Sequence, residues 1–362
     1  MGVTIRDVAK KAGVSVATAS RVLGNYGYVS AETSEIVMSA AHQLGYRPHS
    51  LAKSLVTGRT NMVGFVVGDI ENPFFASLAK WINASISIEG YTMLVYTTDE
   101  NVDEEAKGVY SLIEKNVDGI IIAPASIKEY KHILDARDSG IPVVVVDRPN
   151  PHLEIDTVAV ENNQSVYEAI RELIKLGHRE IGFYSDSLEI GSNLERLEGY
   201  KRALTDAGIE IDPQFIYTTG YSILDGYRGA VSILSSSQRP SAIFTANNFI
   251  TTGFLLAAND MKLLIPEYIS LIGFDDLEWY KLNLPRISVV SQPQKRISQV
   301  VSRILINRMG DKNRLARPEI VRLPGKLILR ESTAPNVRQE EFTSDKISIA
   351  PIADEQTPMG ED

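Results

Sequence analysis

Apolar positions in the first fifty residues recur at helical spacing in three short blocks. Ile5, Val8, Ala9 and Ala12 lie three and four apart behind Thr4, with Asp7 three residues after it. This spacing predicts a first helix that opens on a capping-box-like pair and stops at Gly13. Ser15 is placed to cap a second helix over Val16 to Leu23, and Ser30 opens a third. Ile36, Val37, Ala40, Ala41 and Leu44 make one face of that third helix, which Gly45 closes before Pro48. Residues 50–57 set Leu51, Ala52 and Leu55 on one side of two helical turns, a segment too short to hold as a helix without a partner. From residue 61 the period changes. Short β-branched runs at 62–68, 92–97, 119–123 and 142–147 alternate with amphipathic stretches near 74–88, 104–115 and 128–139, and a second series of runs follows at 180–185, 215–220, 242–246 and 270–275. Unbroken apolar runs between helices predict parallel strands covered on both faces. The expected architecture is an all-α helix-turn-helix head followed by an α/β body of two doubly wound lobes.

Composition narrows the chemistry. The 362 residues are 44% hydrophobic and 23% charged, an ordinary globular balance, and contain no cysteine. Disulfides, thiolate metal sites and cysteine nucleophiles are therefore excluded. The first residues lack the apolar core of a secretory signal and no apolar run reaches ~18 residues, so a soluble, cytoplasmic protein is expected. The net charge of −9 is uneven: residues 1–60 hold seven basic side chains against three acids, a balance of +4, which leaves −13 on the remainder. A basic head on an acidic body suits a chain that meets phosphate with one segment only.

Two short capped helices joined by a glycine-containing turn are a helix-turn-helix arrangement, in which the second helix enters the major groove N-terminus first. Ser15, Val16, Ala17, Thr18, Ser20 and Arg21 occupy the positions that would reach base edges and phosphates. Spacing alone leaves the bland reading open, since any two capped helices around a glycine look like this. In the body, polar residues cluster where the predicted strands end: Asp69 with Asn72, Asp147 with Arg148, Asn247 with Asn248, Asp275 with Asp276, and Gln292. Carboxylates, amides and a guanidinium around one cleft match the donors and acceptors of a small polyol, and Phe74, Phe75, Tyr221 and Trp279 offer flat faces for a sugar ring. Each has a plainer alternative: core packing for one of the phenylalanines, a turn cap for Asp275, a pairing with Glu195 or Glu198 for Arg196.

Longer signatures choose between these readings. The head carries ATASRVL at 17–23 and LGYRPHSLAKSL at 44–55. It resembles the DNA-binding head of the lac repressor (LacI/GalR) family along its whole length. The resemblance implies that Val16, Ala17, Ser20 and Arg21 read or frame an operator, that Thr4, Ser15 and Thr18 contact phosphate, and that Tyr28 and Ala52 join the interface. It also implies that Leu55, from a pair of hinge helices in a dimer, wedges between base pairs in the minor groove. Burial of Leu55 against the body is the alternative. DIENPFF, VVVVDRP, GHREIGFYS, RLEGYKRAL, FTANN, SLIGFDDLEW and SVVSQP resemble, in order, the family's effector domain and through it the type I periplasmic sugar-binding proteins. Carried over residue by residue, effector contacts fall on Asn72, Phe74, Asp147, Arg196, Tyr221, Asn247, Asp275 and Gln292, with Phe75 and Trp279 beside them. The family usually has Asn-Asp where this chain has Asn247-Asn248, which puts position 248 in doubt. The stretch around Trp279 is similar to members that respond to pentoses or sugar acids.

The organisation expected from pattern and resemblance together is a head at 1–49, a hinge at 50–60 and a two-lobed body at 61–336. Its N-lobe takes about 61–159 and 292–321, its C-lobe about 160–291 and 322–336. Residues 337–362 lack apolar periodicity and carry seven acids against Arg338 and Lys346, so a disordered acidic tail is expected. No heptad run follows, which makes a homodimer the expected state. An enzyme on the same scaffold finds little support, since no phosphate-binding glycine motif, no HExxH and no GxSxG occurs and the five histidines have no metal-like spacing. No cofactor, metal or membrane is expected; the partners are double-stranded operator DNA and a small sugar or sugar acid. The function implied is transcription control, a repressor of carbohydrate-use genes governed allosterically by that ligand.

Overall fold

A computed structural model describes residues 3–24, 27–46, 59–310 and 317–336. The head is built of α1 (Ile5–Ala12), α2 (Val16–Gly24) and α3 (Ala31–Leu44). The predicted caps form: Asp7 Oδ2 accepts from the Thr4 amide at 2.8 Å, Ser15 Oγ from the Thr18 amide at 3.0 Å and Ser30 Oγ from the Thr33 amide at 3.3 Å. Val8, Ala9, Ala19, Val37, Ala40 and Ala41 bury against one another and make the core of the three helices. The small alanines let short helices approach closely.

The body contains two sheets. In the first, β1 (Met62–Val67), β2 (Thr92–Thr97), β3 (Gly119–Ile122), β4 (Val143–Val146) and β5 (Asp156–Val160) are connected through α4 (Pro73–Ile88), α5 (Val102–Glu114) and α6 (Lys131–Asp138). With β11 (Ile320–Leu323) they form six parallel strands in the order β11-β5-β4-β3-β1-β2. In the second, β6 (Ile181–Ser185), β7 (Ile216–Thr218), β8 (Ala242–Thr245), β9 (Ser270–Phe274) and β10 (Ser288–Ser291) are parallel, and β12 (Lys326–Ile328) adds antiparallel to β10. Its helices are α7 (Asn162–Lys175), α8 (Gly191–Asp206), α9 (Ile223–Ser235) and α10 (Asn248–Asp260). The short α11 (Glu278–Leu282) follows β9, and α12 (Gln294–Gly310) returns to the first sheet, where Ile297, Val301, Ile304 and Leu305 pack with the α4 side chains Leu78, Ile82 and Ile86. Strand side chains such as Val143 to Val146 are buried on both sheet faces, which is why they read as unbroken apolar runs.

The chain passes between the sheets three times: after β5, after β10 and between β11 and β12. Some expected elements differ. The run at 215–220 is a three-residue strand preceded by a 3₁₀ turn, Pro213–Phe215, because proline opens a turn and offers no ladder donor. The helix expected from 128 starts at Lys131, since Ser126 Oγ accepts from the Lys128 amide at 3.0 Å and holds a loop there. β11 and β12 lie at sheet edges and carry Arg322 and Lys326 among partly exposed residues, so no apolar run announced them.

Candidate functional site

The head presents one face of α2 to solvent. Val16, Ala17 and Arg21 are exposed, Thr18 and Ser20 partly so, while Ala19 between them is buried. The Ser15 hydroxyl also lies 2.8 Å from that of Thr18, so the cap and the candidate phosphate contacts are one cluster. Thr4 donates its hydroxyl to Asp7 at 2.7 Å, and Tyr28 stands almost wholly in solvent. Ala52 and Leu55 lie outside the described residues, as do the hinge around them and the tail.

In the body, β4 and β9 end in the same way. Asp147 and Asp275 follow them with φ of 65° and 73°, and their amides donate to the neighbouring strand at Val158 O and Val290 O, 2.9 and 2.8 Å away. A non-glycine residue in the left-handed region costs energy that the surrounding ladder must offset. Here it turns a carboxylate out of each sheet into the space between the lobes. Asn72, capping α4 by accepting from the Phe74 amide at 3.0 Å, lies beside them, and Asn247 caps α10 through the Ile250 amide at 2.9 Å. Asn72, Phe74, Phe75, Asp147, Arg196, Tyr221, Asn247, Asp275 and Gln292 line one cleft. Trp279 does not. Its ring packs edge-on against Tyr280, 6.0 Å between centroids, and is half exposed outside the lining of this cleft, in place of the contact expected from the sequence.

Several plainer alternatives are resolved by geometry. Glu195 pairs with Arg322 at 2.7 Å, while Arg196 Nε donates to Asn162 Oδ1 at 2.9 Å, its Nη1 to Ala246 O at 2.7 Å, and its guanidinium stacks 3.6 Å from the Phe274 ring centroid. Asp275 does more than end a strand: Oδ1 accepts from Gln292 Nε2 and Oδ2 from Asn248 Nδ2, both at 2.9 Å. Phe74 and Phe75 are both buried and both reach the cleft. Asn248, the doubtful position, also donates to Asn72 Oδ1 at 2.9 Å and so ties the second sheet's lobe to the first.

The lining also contains Arg148, read from the sequence as a strand-end group, and residues that the sequence reading passed over: Glu100, Asp186, Ile190, Ser192, Asn193 and Phe249. Arg148 holds Glu100 in a fork at 2.5 and 2.6 Å, and the Glu100 carboxylate occupies the place a side chain on Gly68 would take. Asp186 directly follows β6 and accepts from Asn193. Strand-end position was a usable signal for Asp186; Glu100, three residues beyond β2, had none. At the rim, Ile127 N donates to Glu189 O across the lobes at 2.8 Å, and Pro149 O presses on Gly191 where any side chain would clash.

Five carboxylates, Asp69, Glu100, Asp147, Asp186 and Asp275, thus face two guanidiniums, Arg148 and Arg196. Burial pushes the Asp147 and Asp275 carboxyls up, with Arg196 opposing, and pushes Asp186 up to about 6, with Glu100 adding to it. Burial likewise pushes Arg196 down against the pull of Asp147. The cleft is a desolvated set of hydrogen-bonding groups held by both lobes, and it can grip a small polar molecule. Among the described residues no cluster of acids and histidines is placed to hold a metal.

Comparison with known proteins places this geometry. Residues 4–49 match the model of bacterial regulatory proteins of the lacI family, and residues 60–331 match that of periplasmic binding proteins and the sugar-binding domain of the LacI family. The chain belongs to the LacI family. The HTH-type transcriptional regulator DegA of Bacillus subtilis (strain 168) is 34% identical over 337 residues, 92% of this chain and 99% of that one. The solved complex of the transcriptional regulator CelR with cellobiose is 26% identical, covers 91% of this chain and 100% of its own, and superposes with a TM-score of 0.68. The lac repressor dimer bound to operator and the anti-inducer ONPF, at 22% identity and 92% and 100% coverage, shares the fold with a TM-score of 0.78. As a LacI-family member the protein is a DNA-binding transcriptional regulator with a sugar-binding domain, and not an enzyme.

Proposed function

We propose that this LacI-family regulator acts as a homodimer on a pseudo-palindromic operator, and that a small sugar or sugar derivative in the cleft sets its operator affinity. Val16, Ala17, Ser20 and Arg21 read bases, Thr4, Ser15 and Thr18 hold phosphate, and Tyr28, Ala52 and Leu55 complete the contact. The acidic body keeps the rest of the chain off the DNA. The division into head, hinge and two lobes assigns reading to the first part and sensing to the last.

The observation that carries the reading is the bond from Asn248 to Asn72 across the cleft, at 2.9 Å, among polar groups supplied by both lobes. A ligand gripped from both sides favours the closed arrangement over the open one, and that difference in affinity is what it can transmit. By linkage, operator must change the ligand's affinity by the same factor. The family match and the cellobiose bound by CelR support a carbohydrate as the ligand. The test is fluorescence anisotropy of the full chain on an operator selected from random DNA, titrated with pentoses, hexoses and disaccharides. A shift in operator affinity with one of them, in either direction, is expected. An operator affinity that no carbohydrate moves overturns the sensing half of the proposal, and a footprint covering one half-site overturns the dimer.

A further inference from the structure

The carboxylate of Asp275 fixes the amides around it. Asn248 and Gln292 both turn their NH₂ groups toward it and donate, and their carbonyl oxygens face away. Asn248 Oδ1 and Gln292 Oε1 then have no donor, and neither has Asp147 Oδ1. All three belong to side chains more than nine-tenths buried. A buried acceptor without a donor is costly, so the cleft lining is short of hydrogen-bond donors at these three oxygens. Charge points the same way, because the five carboxylates of the lining face two guanidiniums and one of these, Arg148, is already spent on Glu100.

We propose that the cleft selects an uncharged or aminated polyol and rejects carboxylated and phosphorylated ones. The inference rests on the carbohydrate reading of the same cleft. Each hydroxyl of a neutral sugar donates one hydrogen bond and can satisfy one of the three oxygens, and an ammonium donates three. A sugar carboxylate or phosphate brings acceptors to acceptors and negative charge to a site with an excess of it. Arg196 is the one guanidinium left to answer that charge, and it already donates to Asn162 and to Ala246 O. Asp186, beside Asn193 on the second lobe, extends the negative wall.

The experiment is calorimetric titration of the full chain at pH 7.5 with matched sets on one carbon skeleton: glucose, glucosamine, glucuronate, gluconate and glucose 6-phosphate, and the corresponding galactose and ribose series. In the series that binds, the neutral or aminated member is expected to bind about a hundredfold or more tighter than its acid and phosphate counterparts. Asp186→Asn is expected to narrow that gap, read as the ratio of the neutral to the acid affinity in the same variant. An acid or phosphate that binds as tightly as its neutral partner overturns the selectivity and leaves the carbohydrate reading standing. A gap unchanged in Asp186→Asn overturns the electrostatic part. Absence of binding by every member overturns the carbohydrate reading, and this inference with it.

Discussion

Arg196 Nε and Asn162 Oδ1 meet at 2.9 Å at the point where the chain first leaves one sheet for the other. Asn162 also donates to Glu195 at 3.0 Å, and Glu195 receives Arg322 from β11, beside the third crossing. A guanidinium in the cleft wall is thus held by the segments about which the lobes would move. What Arg196 touches in the cleft and how the lobes are set are mechanically one matter.

Asn162→Ala should therefore reduce ligand affinity although Asn162 does not line the cleft. The loss of its two bonds should also lower stability by about 1–3 kcal/mol. Calorimetry and urea unfolding read the two effects. Ligand affinity equal to that of the parent would show that Asn162 does not orient Arg196.

Asn248→Asp replaces the donor shared by Asn72 and Asp275 with a second carboxylate 2.9 Å from the first. Like charges at that distance disfavour joint ionisation. Ligand affinity is expected to fall roughly 10- to 100-fold at pH 7.5 and to recover partly at pH 5, where one of the two carboxyls takes up a proton. Titration at the two pH values checks this, and equal losses at both would refute it.

Asp186 gives a stability signature with a definite sign. Its carboxyl is pushed up to about 6 by burial from a usual value of 3.8, so its favourable contribution is present below about pH 4 and is lost as pH rises through 6. Asp186→Asn removes that loss. Relative to the parent, the variant should gain about 3 kcal/mol between pH 4 and pH 7.5 in urea unfolding. A stability difference independent of pH would place the charge in water.

Arg21→Ala should weaken binding to the selected operator by about 1–3 kcal/mol and relax base choice near the contact, while binding to random DNA changes little. Arg21 is exposed on α2, so the head should keep its fold, which circular dichroism can verify. An unaltered footprint and affinity would remove Arg21 from the interface.

How much of this was legible depended on whether the signal was local. The caps at Thr4, Ser15 and Ser30, the turn at Gly13 and the valine runs of the buried strands each depend on a few adjacent residues, and they form as read. Nine of the ten effector contacts named from sequence share one cleft because the rule behind most of them, polar groups at the carboxyl ends of parallel strands, follows from topology. Trp279 lies outside that lining, since aromatic chemistry says nothing about which way a short helix turns. Glu100 was invisible for a different reason: what places it is Arg148, far along the chain, and the hollow at Gly68, and neither leaves a mark in a window of sequence. Asn248 looked like a departure from the family, yet its amide is one of the groups that span the lobes.

The three crossings also order events during synthesis. The head can close its core once Tyr46 has left the ribosome, since the residues packed there all lie between Ile5 and Tyr46. The first lobe begins first and stays incomplete until five strands of the second sheet have been made: α12, which covers it, spans Gln294–Gly310, its last strand ends at Leu323, and of the second sheet only β12 follows. Until those residues emerge, the face of the first sheet under α12 stays open while the second lobe folds. The nascent regulator thus has a long interval with its DNA-reading end finished and its sensing end incomplete, and it is in this interval that the exposed valine strands are open to aggregation and to chaperones.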